Sequence, residues 1–209
     1  MILYFFRKIK KHCENNKKTD VKVDVRPYEK YNKLMKIGID IDNVIANTFD
    51  ELRHHFNRFM GKEYAAHEIV HALRKNKVKT FFYNVDAWRK KVLETVSPIP
   101  SAVDKIREWA LKHEIYFVTS RLFVLKNQTK RWLLKHDIPH HGLFHLKEGT
   151  KFKKAKEYDA FIEDNLEECE VLAKHCPKVF LIDKPWNKKK NLEKNIIRIK
   201  NWEEFKKYI

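Results

Sequence analysis

What this chain of 209 residues lacks narrows the field before any motif does. It has only three cysteines, Cys13, Cys169 and Cys176. That odd count, with no C-x-x-C spacing, excludes a disulfide framework and a structural zinc site, and fits a reducing cytoplasm. No apolar run is long enough to span a bilayer, and the opening stretch Met1–Phe6 is far too short. Its basic residues follow the apolar ones, the reverse of a signal peptide. With Arg7, Lys8, Lys10 and Lys11 behind it, the stretch suits at most a weak tether to an anionic surface. There is no internal repeat, and only Lys188-Lys189-Lys190 approaches low complexity. Acids are also short, 28 Asp and Glu against 45 Lys and Arg, for a formal charge of +17. Such a balance attracts nucleotides, nucleic acid and acidic membranes without choosing among them, and a charge-rich surface with no polyanionic partner has the same composition.

What is present suits one domain carrying an insertion: 43% hydrophobic and 13% aromatic residues, enough for a core. Residues 1–34 read as a basic N-terminal extension, and the globular pattern begins at Met35-Lys36-Ile37-Gly38-Ile39. Short apolar runs then alternate with helical periodicity. Strands are expected at 37–41, 115–118, 143–146, 160–162, 179–182 and 196–199. Helices are expected at 48–60, around 66–74 and 86–96, at 102–112 with Ser101 as N-cap, and at 123–136, 151–158, 166–175 and 202–208. This is an α/β pattern with a mostly parallel sheet. The mainly helical residues 48–97 are too long for an ordinary crossover, and are expected to form a small cap inserted after the first strand. The core would then comprise 35–47 and 98–209.

Four strand ends carry polar residues. Asp40 and Asp42, two apart, can point the same way, one as nucleophile and the other as acid/base. Their mutual repulsion implies an oxygen-liganded cation, Mg²⁺; a surface turn is the ordinary alternative. Thr119-Ser120-Arg121 offers a hydroxyl and backbone N–H groups for phosphate, or merely a helix cap. Gly149-Thr150-Lys151, with Lys153 and Lys154 behind it, offers a lysine for a phosphate oxygen. Glu163-Asp164-Asn165 offers cation ligands, or again a cap. Each signal alone is modest, and their order along successive strand ends is what makes them specific.

In that order the pieces resemble the motifs of the haloacid-dehalogenase-like (HAD) phosphatase superfamily. Ile37–Thr48 (IGIDIDNVIANT) resembles the first, Tyr116–Arg121 (YFVTSR) the second and Phe161–Asn165 (FIEDN) the fourth. Val179–Asn187 (VFLIDKPWN) and Ile196–Phe205 (IIRIKNWEEF) are similar to the tail of the 5'-nucleotidase branch that includes the 5'(3')-deoxyribonucleotidases. The resemblance spans roughly 36–209. It implies a Rossmann-like parallel-sheet core and a Mg²⁺-dependent phosphomonoester hydrolase working through an aspartyl-phosphate. Asp40 would be nucleophile and Mg²⁺ ligand. Asp42 would be acid/base, lending the metal its backbone carbonyl. Thr119 and Ser120 would bind the phosphoryl group, Asp164 would complete the metal site, and Glu163 would stand behind it. The lysine is Lys151 or Lys153, and Lys151 is favoured by its place at the helix start.

The expected substrate is a small phosphomonoester, a (deoxy)nucleoside monophosphate, whose base would stack on aromatic residues of the cap; the candidates are Phe49 and one of Phe81, Phe82 or Tyr83, with Phe82 taken first. Two other readings compete: a HAD phosphatase for another small metabolite such as a phosphosugar, and a nucleic-acid-binding protein or polynucleotide-end phosphatase using the basic surface. The acidic strand ends disfavour the last. His54-His55 and His140-His141 lack a third ligand at metal spacing, and Trp186 reads as structural.

Overall fold

The computed structural model describes residues 34–209. The expectations for residues 1–33, including the tether at Met1–Phe6, lie outside the described residues. Six strands form one fully parallel sheet: β1 (Lys36–Ile39), β2 (Glu114–Thr119), β3 (Gly142–His145), β4 (Ala160–Glu163), β5 (Val179–Ile182) and β6 (Ile196–Ile199). Their order is β3-β2-β1-β4-β5-β6. The α/β class and the parallel sheet are therefore as the alternation implied, and the Rossmann-like core is as the resemblance implied.

Period-two geometry sends successive strand residues to opposite faces, and each face has its own core. Phe117, Ile162 and Phe180 pack on one side with Trp109, Trp132, Trp202 and Phe205. Their chain neighbours Val118, Phe161 and Leu181 pack on the other with Tyr158, Cys169 and Leu172. The strands read as continuous apolar runs because both faces are covered. Gly38 in β1 marks a close approach: a Cβ there would come within 2.6 Å of the Tyr158 and Phe161 rings.

Between β1 and β2 lie α1 (Thr48–Met60), α2 (Ile69–Lys75), α3 (Lys77–Arg89) and α4 (Pro100–Ala110). Leu52, Phe56 and Met60, at four-residue spacing, are the buried apolar face of α1. Gly61 stops the helix in the left-handed conformation at φ 70°. Phe56 and Met60 join Ile69, Ala72, Tyr83 and Ala87 in a third apolar cluster, distinct from the two on the sheet. Two local expectations change. Helical pattern over 86–96 is instead the end of α3, broken at Lys91 with φ 54° and followed by a 3-10 turn at Val92–Glu94. Ser101 does not cap α4: Ile99 occupies that position and Pro100 opens the helix, its fixed φ and missing N–H costing nothing there.

The remaining helices are α5 (Lys126–Lys135), α6 (Phe152–Ala155) and α7 (Leu166–Leu172), and a 3-10 segment at Trp202–Lys207 stands where a closing helix was expected. The chain runs from β1 outward through β2 to β3, then returns to the other side of β1 for β4 to β6. The carboxyl end of β1 is thus the switch point, where connections diverge and leave a crevice. Among the described residues no helix is long and apolar enough to cross a membrane.

Candidate active site

Asp40 follows β1 directly, and its N–H donates to the Ile162 carbonyl of β4 at 2.9 Å. That bond sets the Asp40 side chain beside the residues ending β4. Asp40, Glu163 and Asp164 each offer a carboxylate oxygen within 4.8 Å of the others, and all three residues are buried. Lys151, just ahead of α6, reaches the same point. Its Nζ lies 2.7 Å from Asp40 Oδ1 and 2.7 Å from Glu163 Oε2. Lys151 is 2% exposed, whereas Lys153 faces solvent, so the structure brings only Lys151 to the cluster.

The other oxygen of Glu163, Oε1, accepts the N–H groups of Asp164 and Asn165, both at 3.1 Å. Asn165, not Asp164, caps α7, taking the Glu167 and Glu168 N–H groups on its side-chain oxygen. That relieves Asp164 of the ordinary capping role. Its Oδ2 accepts the Trp186 indole N–H at 2.9 Å, and its carbonyl accepts Asn187 Nδ2 at 2.7 Å.

Three carboxylates against one ammonium leave negative charge in excess, and burial magnifies it. Burial pushes the Asp40 carboxyl up to about 8, with Glu163 adding to the rise and Lys151 opposing it. Asp164 is likewise raised, by burial first and then by Glu163 and Asp40. Burial would discharge Lys151, but Asp40 and Glu163 hold its ammonium well above the usual lysine range.

Asp42 behaves differently. Its carboxylate is clamped by Arg121, with Nε 3.0 Å from Oδ2 and Nη2 2.8 Å from Oδ1, and it accepts the Thr48 hydroxyl at 2.6 Å. Burial alone would raise its pKa, yet the Arg121 charge and hydrogen bonds hold it below the usual carboxylate range. Arg121 is itself buried, reaching Thr129 Oγ1 at 3.4 Å, with its guanidinium over the Trp132 ring. The loop after Asp42 is fixed by Asn43, in the left-handed region at φ 60°, whose side-chain oxygen takes the Phe49 N–H at the start of α1.

These residues surround a cavity of about 590 Å³, whose walls include Asp40, Asp42, Lys151, Glu163 and Asp164. Ser120 and Arg121 also line it, and the Ser120 hydroxyl is buried without a hydrogen-bond partner. Thr119 is fully buried behind them, outside the lining, its Oγ1 accepting the Arg121 N–H at 3.2 Å. Phe49 lines the cavity and packs on Trp186 with ring centroids 5.4 Å apart. Phe82 does not line it: its side chain points out of α3 and is 57% exposed, whereas the adjacent Tyr83 is 8% exposed and forms cavity wall. One residue along a helix is a turn of about 100°, so this correction is one of helical register. Tyr83, one of the three alternatives with Phe81 and Phe82, is the one that reaches the wall, and Arg121 and Trp186 are the wall residues that sequence reasoning passed over. A charged side chain directly after the second strand was the signal available for Arg121.

Comparison with known proteins places this geometry. The sequence model of the family described as 5' nucleotidase, deoxy (pyrimidine), cytosolic type C protein matches residues 33–209. A nucleotidase of Clostridium acetobutylicum is 29% identical over 175 residues, covering 81% of this chain and 91% of its own. Among solved structures, a haloacid dehalogenase-like hydrolase from Streptococcus pneumoniae has a TM-score of 0.62 at 12% identity, covering 84% of this chain and 98% of its own. CbbY from Rhodobacter sphaeroides, solved in complex with phosphate, has a TM-score of 0.60 at 12% identity, covering 83% of this chain and 96% of its own.

Proposed function

Because the chain belongs to this family of HAD-like 5'-nucleotidases, we propose that it hydrolyses (deoxy)nucleoside monophosphates through an aspartyl-phosphate on Asp40, with Mg²⁺. The observation that carries this reading is the convergence of Asp40, Lys151, Glu163 and Asp164 at the wall of one cavity. Residues 48–97 serve as the cap, and 35–47 with 98–209 as the catalytic core. Among the described residues, Cys169 and Cys176 are buried free thiols, which supports a cytoplasmic setting.

The donor set fits a hard divalent cation, being oxygen-only, buried and in excess of negative charge. Asp40, Asp164 and the Asp42 backbone carbonyl would hold it. Both Glu163 oxygens are engaged by Lys151 and backbone N–H groups, so Glu163 stands behind the ligands and positions Lys151. Bound there, Mg²⁺ would offset the carboxylate charge and draw electron density from the phosphoryl oxygens.

Asp40 attacks phosphorus, and the bond to the ester oxygen breaks. Lys151 holds the Asp40 carboxylate in place, and Ser120 supplies a hydroxyl for the phosphoryl oxygens, while Thr119, behind the wall, holds the Arg121 backbone instead of touching phosphate. Asp42 gives a proton to the departing nucleoside oxygen. It then takes one from water, whose oxygen attacks phosphorus, freeing phosphate and restoring the Asp40 carboxylate. At rest the Arg121 pairing keeps Asp42 ionised, the form needed as base in this second half. For the first half a substrate phosphate competes for Arg121 and lets Asp42 take up its proton. Phe49 and Tyr83 offer ring faces for the base.

The test is phosphate release from a panel of nucleoside monophosphates and sugar phosphates, with Mg²⁺ and with chelator, beside Asp40→Asn and Asp42→Asn. Nucleotides should lead the panel, and both variants should fail. Sugar phosphates outrunning every nucleotide would replace the substrate assignment, and full activity in Asp40→Asn would end the mechanism.

A further inference from the structure

Helix α3 has two apolar faces, and only one is covered. Tyr83 and Ala87 are buried toward α1 and α2, and with Thr80 and Asn84 they line the cavity. On the other side Val78 is 72% exposed, Phe81 61%, Phe82 57%, Val85 39% and Trp88 42%. The spacing 78-81-82-85-88 makes these one stripe along the helix. Scattered apolar residues on a surface need no explanation, but a continuous stripe containing three aromatics marks an interaction site.

The ends of the stripe are basic. Lys77 and Lys79 flank its first residue, Arg89, Lys90 and Lys91 follow it, and all five face solvent. The one acid of α3, Asp86, is engaged by Lys90 at 3.0 Å and lies 3.3 Å from His55 Nε2. Asp86 thus offsets Lys90 alone, and no acid of the helix is left for Lys77, Lys79, Arg89 and Lys91, which border the apolar face.

We infer that this face of α3 docks on an anionic lipid surface. The aromatic and aliphatic side chains would enter the headgroup boundary while the flanking cations meet lipid phosphates and carboxylates. Charge excludes the competing occupants. A second copy would bring the same lysines against these, on a chain of net +17. The chain's own apolar run at Met1–Phe6 carries Arg7, Lys8, Lys10 and Lys11 and is of the same sign. Nucleic acid would satisfy the cations and leave Val78, Phe81 and Val85 in water. The inference is independent of the proposed catalysis, since it uses the opposite face of the helix.

The experiment is co-sedimentation of the full chain with vesicles of neutral phosphatidylcholine, and with vesicles in which about a third of the lipid is phosphatidylglycerol. Binding is expected to the anionic vesicles and to fall at high salt. Phe81→Ser/Phe82→Ser should weaken it at least tenfold, without change in circular dichroism or melting temperature, because both rings lie over half in solvent. In the otherwise native protein, lipids brominated near the headgroup should quench Trp88, and Trp88→Phe should remove that part of the quenching. No binding to anionic vesicles at low salt would overturn the inference. So would binding undiminished in Phe81→Ser/Phe82→Ser, or a dimer in light scattering that this variant abolishes.

Discussion

The Lys151 ammonium stands 2.7 Å from Asp40, and it stands at the same distance from Glu163, so one buried cation serves two carboxylates. Removing it leaves Asp40, Glu163 and Asp164 uncompensated. Lys151→Ala should lose about 3–5 kcal/mol of stability, the usual cost of breaking a buried pair on one side. Denaturant melts measure it, and added Mg²⁺ should restore part of the loss. Lys153→Ala, a change at an exposed position, should leave the melt unmoved.

Asp40→Asn keeps the shape of the site and removes the proposed nucleophile. Turnover should fall by about 10⁴-fold or more, and no acid-stable, base-labile phosphoenzyme should form when the wild type shows one on rapid quench.

The Asp42–Arg121 pair predicts a pH signature. Arg121 holds the Asp42 pKa below its unfolded value, so the pair contributes stability that is complete above about pH 4 and is lost as pH falls through the depressed value. Arg121→Ala releases that hold. Turnover should drop about 100-fold, the low end of what general acid–base catalysis supplies, and the acid limb of the pH–rate profile should move to higher pH. Arg121→Lys should recover part of the rate and part of the shift; a fall in rate with an unmoved acid limb would show that the arginine only supports the fold.

Asp40 carries the opposite sign. Its folded pKa of about 8 lies above the unfolded 3.8, so in the metal-free protein this group's stabilising contribution is fully present below pH 4. It declines as pH rises toward 8. Cation binding displaces that proton, and Mg²⁺ affinity should therefore climb with pH and level off above 8. Titration calorimetry in buffers of different ionisation enthalpy would show the proton release. An affinity independent of pH from 6 to 9 would contradict the assignment.

Trp186→Phe keeps the ring against Phe49 and deletes the N–H to Asp164 Oδ2. Mg²⁺ affinity should fall about tenfold, as for other residues that orient a metal ligand, and calorimetry reads it without turnover. In the cavity wall, Tyr83→Ala should raise KM for nucleotides, whereas Phe82→Ser should leave it unchanged.

Much of this was readable before any coordinates. The strands announce themselves as short apolar runs, and Asp40, Asp42, Ser120 and Asp164 sit where those runs end. What stayed hidden is what depends on direction. Its place at the helix start favours Lys151 over Lys153, but only the turn ahead of α6 shows that Lys151 alone is sent inward. Phe82 and Tyr83 differ by a third of a helical turn on a helix apolar on both sides, so periodicity could not tell wall from surface. Arg121 reads as a residue after a strand until the fold brings Asp42, 79 positions earlier, against it. Trp186 reads as packing because its indole N–H has no visible partner until Asp164 is placed beside it.

The β1–β4 pairing has a consequence for when the protein can first act. Asp40 is made well before β4, yet its N–H bonds to the Ile162 carbonyl and its lysine lies 111 residues downstream. Until β4 has been made and laid beside β1, the proposed nucleophile lacks Glu163 and Asp164, and Lys151 lacks the second carboxylate that holds it against Asp40. Pairings of such long sequence separation are the slow ones to form. Nascent chains should therefore be catalytically silent until β4 has been made, and recovery of turnover after dilution from denaturant should time the closing of the central sheet.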